Sequence, residues 1–98
     1  MDDFAGAEDD CTEAIQRNPY VVNSYELRGL SRIQQEKYSD AIDDYTKAIE
    51  LEPELAEAYF NRGIARIQTK KTAEAIADLS KAGELGIYQA YSVIKKNS

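Results

Sequence analysis

The chain has 98 residues, a formal net charge of −6, one cysteine and no histidine. A single cysteine excludes an internal disulfide and a cysteine-based metal site, and the lack of histidine removes the commonest general base and metal ligand. The acidic balance argues against nucleic acid and anionic membrane surfaces as partners, because like charges repel. No apolar run approaches membrane-spanning length, so we expect one small domain without a membrane segment.

Apolar residues recur at helical spacing from Phe4 to Arg17, with acidic residues between them. This spacing predicts a first helix that ends near Asn18, because a residue before proline is pushed out of the helical region of backbone space. The apolar stripe of this helix contains Phe4, Cys11 and Ile15. We expect that stripe to be uncovered, since no helix is predicted before it.

Two helical hairpins and a short closing helix follow, and we predict these five helices over 21–35, 38–51, 54–69, 72–84 and 88–96. Gly29 lies inside the first of them, where glycine costs roughly 1 kcal/mol relative to alanine. We interpret it as a point of close approach to the next helix, which offers the small residues Ala41 and Ala48. Tyr25 and Tyr45 are expected to fill the wider parts of that contact.

The later helix ends also have sequence signals. Glu52 and Pro53 are expected to open the fourth predicted helix, since proline suits the first helical position. Gly83 and Gly86 are expected to end the fifth helix. We interpret the last helix, which carries Tyr91, as a polar cap on the preceding hairpin.

The sequence repeats itself at a fixed offset, at which Gly29 returns as Gly63 and many of the surrounding residues are identical. Such a fixed period is typical of stacked helical repeats. The pattern resembles the tetratricopeptide repeat (TPR) family on the residues Tyr25, Gly29, Ala41, Tyr45 and Pro53 of the first copy and Tyr59, Gly63, Ala75, Leu79 and Ile87 of the second. Both copies depart from the family at the same two slots, where arginine replaces the usual leucine and tyrosine.

The resemblance implies an all-α fold in which antiparallel helix hairpins stack as a short right-handed TPR solenoid. It divides the single domain 1–98 into the second helix of a partial repeat (1–21), two repeats (22–55 and 56–89) and the C-terminal part of a short capping helix (90–98).

In the TPR family, the first helices of the repeats line a concave groove that holds a partner peptide. Carried over slot by slot, the resemblance implies a partner-binding face made of Asn23, Glu26, Leu30, Gln34, Glu57, Phe60, Asn61, Ile64 and Gln68. Ile33 and Ile67 occupy neighbouring slots, for which packing between successive repeats is at least as good an interpretation.

The best-known TPR ligand device clamps a C-terminal carboxylate with lysine and asparagine. Only Asn61 matches one of its slots here, because Glu26, Leu30, Phe60 and Ile64 fill the others. We therefore expect a groove that is apolar in the middle and acidic at one edge. Such a surface suits an amphipathic helix or a partly basic, apolar peptide.

Arg28 and Arg32 lie four residues apart on one helix face, and the pair recurs in the second copy. They could grip an anion, or they could pair with acids of the neighbouring helix such as Asp44. Guanidinium geometry suits carboxylate pairing, and the acids recur in step with the arginines, which favours the second interpretation.

No residue set predicts catalysis. The carboxylates fall mostly on outer helix faces, and Cys11 is read either as a reactive thiol or, more typically, as a small buried apolar residue. We find no phosphate-binding loop, nucleophile elbow or catalytic triad, and we expect no enzyme, no cofactor and no metal.

Two functions stay open at this point. The first is a non-catalytic module that binds a peptide or helical segment of a partner protein on the concave face. The second is a structural module that forms a homo-oligomer through its uncovered first helix, or that belongs to a longer TPR protein.

Overall fold

The computed structural model describes residues 3–98, so Met1 and Asp2 of the predicted 1–21 segment lie outside the described residues. Residues 3–98 form only helices and no strand, which confirms the all-α class. The helices are α1 (Phe4–Arg17), α2 (Val22–Gln34), α3 (Tyr38–Leu51), α4 (Ala56–Gln68), α5 (Thr72–Glu84) and α6 (Gln89–Asn97). Each helix packs against the next one in the sequence, and α2 also contacts α4.

The turns that precede α2 and α4 contain the two prolines. Pro19 and Pro53 each lie in a turn three residues ahead of the helix, so the expectation that Pro53 begins a helix is wrong. A tyrosine of the following helix fastens each turn to the fold. The Tyr25 hydroxyl donates a hydrogen bond to the Pro19 carbonyl oxygen at 2.9 Å, and the Tyr59 hydroxyl donates to the Pro53 carbonyl oxygen at 3.1 Å.

Local backbone chemistry also defines the helix ends. The Asp3 carboxylate accepts a hydrogen bond from the Gly6 N–H at 2.8 Å and caps the start of α1. Glu36 and Lys70 follow α2 and α4 with φ of 61° and 64°, the left-handed conformation that commonly ends helices. The two hairpins therefore turn in the same way, at equivalent positions of the two repeats.

Each hairpin closes on a buried glycine of its first helix. A Cβ atom added to Gly29 would lie 2.8 Å from Cε2 and Cζ of Tyr45, and one added to Gly63 would lie 2.8 Å from Cγ of Leu79. The predicted close approach at Gly29 is confirmed. Its partner differs from the prediction, because a large side chain fills the notch and not the alanines.

The buried apolar residues form two clusters, the first from α2 and α3 with one residue of α4, and the second from α5 with one residue of α6. The first is built on Tyr25, Ala41, Tyr45, Ala48 and Ala58, and the second on Leu79, Ala82 and Ala90. Ile33 packs against the first cluster and Ile67 against the second. Both isoleucines therefore pack against the core, and their role in joining successive repeats stays a prediction.

Helix α1 is better covered than its sequence suggested. Phe4, Cys11 and Ile15 are half-buried, and Ile15 packs against the first core cluster, because α2 lies along α1. The expectation of an uncovered stripe holds in part, because no residue of α1 is fully buried, and self-association through α1 stays a prediction. Burial raises the pKa of the Cys11 thiol, which lowers its thiolate fraction at neutral pH.

Replacing Gly29 with alanine should destabilise the fold. The new methyl group would press on the Tyr45 ring, which is 1% exposed and has no room to move. We expect overpacking to cost about 1–3 kcal/mol, more than the roughly 1 kcal/mol that alanine gains in helix propensity. Urea unfolding followed by circular dichroism measures the difference.

Gly6→Ala is the matched control, because its methyl group would meet only the exposed Asp3 carboxylate. We expect the control to be close to neutral, since gained helix propensity offsets the disturbed cap. A Gly29→Ala chain as stable as the original would show that the ring and the glycine do not meet.

Candidate functional site

Two clusters, each made of one buried aspartate and two half-buried arginines, connect successive helices. Arg28 Nη2 donates to Asp44 Oδ1 at 2.7 Å, and Arg32 Nη1 donates to Asp44 Oδ2 at 2.9 Å. Arg28 also donates to the Thr12 hydroxyl at 3.2 Å, so its side chain links α1, α2 and α3. The Asp44 side chain is 2% exposed, and it is compensated by these donors.

The same arrangement recurs in the second repeat. Arg62 and Arg66 each donate to Asp78 at 2.7 Å, and Arg62 reaches back to the Thr46 hydroxyl at 3.1 Å. This confirms the pairing interpretation of the four arginines. The N–H groups of these arginines bond to carboxylates of the scaffold and do not form an anion-binding site.

Glu8 adds a further contact that exists only in the first cluster. Its carboxylate accepts hydrogen bonds from Arg32 Nε at 2.8 Å and from Gln35 and Lys37 at 2.9 Å each. The hydrogen bond from Arg32, with those from Lys37 and Gln35, lowers the pKa of Glu8 from 4.5 to about 2. Glu8 therefore fastens α1 to the end of α2 and to the turn that follows it.

Helices α2 and α4 carry all nine predicted partner-binding residues, and none of the nine is buried. The exposed members are Asn23, Leu30, Gln34, Glu57 and Gln68, and the half-buried members are Glu26, Phe60, Asn61 and Ile64. We call these nine residues, together with Leu27, the α2–α4 face. The two helices contact each other, so residues from both can act on one bound molecule.

Leu27 is not among the nine predicted residues, although it is 48% exposed next to Leu30 at 44%. The two leucines lie three residues apart, on one side of α2. The sequence contains a signal for this exposed pair. Tyr25, Gly29 and Ile33 already supply the core-facing stripe of α2, so two leucines outside that stripe are expected on the surface.

The acidic edge of the face centres on Glu26. Burial raises the pKa of Glu26, and the carboxylates of Glu57 and Glu52 raise it further. No residue within 3–98 forms an ion pair with any of these three carboxylates. The edge therefore carries negative charge that the described chain does not neutralise.

The Tyr45 hydroxyl lies beneath this edge. Burial raises the pKa of Tyr45, and the charge of Glu26 raises it further, whereas hydrogen bonding with the Asn61 side chain lowers it. Asn61 is therefore close to the buried hydroxyl, but no group in the described part of the chain meets that hydroxyl in full hydrogen-bonding geometry. The charges of Glu26 and Glu57 and the side chain of Asn61 thus all act on the phenolic end of Tyr45.

Within residues 3–98 we find no metal site, pocket or membrane-spanning helix beside this surface. No group of acidic or cysteine side chains there is arranged to hold a metal ion, and the same residues enclose no pocket. No helix in that range has both the length and the apolar character needed to cross a bilayer.

Comparison with known families agrees with the repeat pattern. A family model described as TPR repeat matches residues 29–69, and one described as tetratricopeptide repeat matches residues 56–85. The chain belongs to the TPR family. No curated protein sequence matches it.

Solved TPR domains share its fold. The first TPR of Spaghetti (RPAP3), bound to the HSP90 peptide SRMEEVD, is 26% identical, with a TM-score of 0.91 over 95% of this chain and 75% of that one. The Arabidopsis OM64 TPR domain is 28% identical, with a TM-score of 0.91 over 95% and 78%. The second TPR domain of human RPAP3, in complex with the HSP70 peptide SGPTIEEVD, is 27% identical, with a TM-score of 0.90 over 95% and 79%. Fold similarity therefore extends to TPR domains that bind peptides.

Glu8→Gln should lower the free energy of unfolding at neutral pH. It removes a carboxylate that is 13% exposed and accepts three hydrogen bonds, and hydrogen bonds to charged groups contribute about 1.5–3 kcal/mol. Because the folded-state pKa is depressed, this stabilisation is present above pH 4.5 and is lost as the pH falls toward about 2. The gap between the two proteins should therefore close over that range in urea unfolding experiments.

The matched control is Glu13→Gln on the same helix, where Glu13 forms an exposed ion pair with Arg17. Such surface pairs contribute about 0–1 kcal/mol, so we expect little change. A gap for Glu8→Gln that is equally large at every pH would contradict the assigned role of its charge.

Proposed function

We propose that this TPR chain is a non-catalytic module that binds a peptide or helical segment of a partner protein on the α2–α4 face. The observation that carries the proposal is the exposed pair Leu27 and Leu30 on α2, a helix that contacts α4, which carries the half-buried Phe60 and Ile64. Exposed apolar side chains grouped on one side of a helix are typical of an interaction site. The peptide complexes of the similar TPR domains support the same class of partner.

The bound segment should differ from the peptides of those neighbours, which both end in the residues EEVD. In this chain, Glu26 and Leu30 occupy slots where a carboxylate clamp needs lysine and asparagine. The uncompensated charge of Glu26 and Glu57 would repel an acidic tail. The net charge of −6 likewise disfavours nucleic acid and anionic lipid as partners.

The double variant Leu27→Ser/Leu30→Ser tests the face. A random peptide library is selected on the immobilised original chain, and enriched peptides are then synthesised. We expect them to bind the double variant about tenfold more weakly or worse, a loss of roughly 1.4 kcal/mol or more, because two apolar contacts are removed. Fluorescence anisotropy measures the affinities. Phe60 is less suited to this test, because it also packs against the core cluster around Leu79.

Tyr88→Ser is the matched control, since Tyr88 is a 75% exposed aromatic residue just ahead of α6 and is not part of the α2–α4 face. It should leave binding unchanged, and circular dichroism should show all the variants folded. Equal binding to the double variant would place the partner on another surface, and a library without enriched peptides would remove the proposed function.

A further inference from the structure

We propose that the α2–α4 face contains a seat for one basic side chain, a lysine or an arginine, of the bound segment, placed between Glu26 of α2 and Asn61 of α4. This inference rests on the proposed function, and it names the chemistry that one position of the bound segment must have.

The carboxylates on this face differ from those inside the scaffold. Asp44, Asp78 and Glu8 are each held by arginine donors at 2.7–2.9 Å. Glu26 is half-buried as well, yet it has no cationic partner within residues 3–98, and neither has Glu57. A carboxylate that is partly removed from water without a partner is unfavourable, and an incoming cation would relieve that cost.

The Tyr45 hydroxyl gives support that does not depend on the acidic residues. Tyr45 is 1% exposed, and within residues 3–98 no group meets its hydroxyl in full hydrogen-bonding geometry, although the Asn61 side chain is close enough to lower its pKa through hydrogen bonding. The ring lies flush against Gly29 of α2, and the phenolic end reaches Asn61 of α4. The hydroxyl oxygen therefore lies between α2 and α4, where the charge of Glu26 also acts on it.

A basic side chain matches what this junction offers. Lysine and arginine carry only donors, and the junction offers three acceptors: the Glu26 carboxylate, the amide oxygen of Asn61 and the Tyr45 hydroxyl oxygen. Leu30 lies one helical turn after Glu26, on the same side, where it can contact the aliphatic stem of the incoming side chain. A side-chain shift of Asn61, which is half-buried, would open access to the hydroxyl.

The second copy of the repeat lacks these acceptors. The positions of that copy that correspond to Glu26 and Tyr45 hold Phe60 and Leu79. The described chain therefore has a single seat of this kind, and one basic residue would fix the register of the bound segment along the apolar stripe.

The experiment uses the peptides selected on the original chain. Each is compared with a version in which its most enriched basic residue is replaced by glutamine. The original chain should bind the basic version about tenfold more tightly, as is typical when one partner of a charged hydrogen bond is removed. Glu26→Gln should abolish that preference, and Tyr45→Phe, which keeps the ring and removes the hydroxyl, should reduce it.

Glu84→Gln is the matched control, because it removes the same charge from the end of α5 and should leave the preference intact. Enriched peptides without a basic position, or a preference that survives both Glu26→Gln and Tyr45→Phe, would overturn the seat while peptide binding stands. A library that yields no enriched peptide would overturn the proposed function and the seat together.

Discussion

The Asp44 carboxylate accepts hydrogen bonds from Arg28 and Arg32, and in the second repeat the Asp78 carboxylate accepts them from the equivalent arginine pair. Each pairing joins the two helices of a hairpin, and its first arginine also reaches the preceding helix through a threonine hydroxyl. One interaction therefore closes the hairpins and stacks them. The same interaction uses the guanidinium groups of all four arginines, so none of them pairs with the carboxylates of the α2–α4 face. The negative charge that remains on that face determines which partners it suits.

Much of the fold could be predicted from the sequence, because the repeat constrains every helix of the two hairpins twice. The bounds of α1, α3 and α5 agree with the prediction, whereas α4 begins at Ala56 and not at Glu54. That difference has a physical cause, since Pro53 lies in a turn whose carbonyl oxygen is bonded by Tyr59. The close helix contact at Gly29 was predictable from helix propensity. Which side chain fills the space beside Gly29 depends on the direction in which the Tyr45 ring points.

The features that sequence reasoning missed are those that the repeat does not share. The Glu8 carboxylate accepts hydrogen bonds from side chains that lie 24 to 29 residues further along the chain, and the residue at its position in the next repeat is Ile42. Without that carboxylate, the Nε atom of Arg66 is buried and has no partner in the described residues. The seat at Glu26 also occurs in one repeat only, because it needs Tyr45 of α3, Glu26 of α2 and Asn61 of α4 to lie close together.

A double-mutant cycle of Arg62 and Asp78 tests most directly whether the arginines belong to the scaffold. The free energy of unfolding is measured in urea for Arg62→Met, for Asp78→Asn and for the double variant. If the pairing holds the stack together, each single variant loses about 3 kcal/mol or more, and the double variant loses clearly less than the sum. Single losses below about 0.5 kcal/mol that simply add, as expected for independent surface residues, would contradict this view.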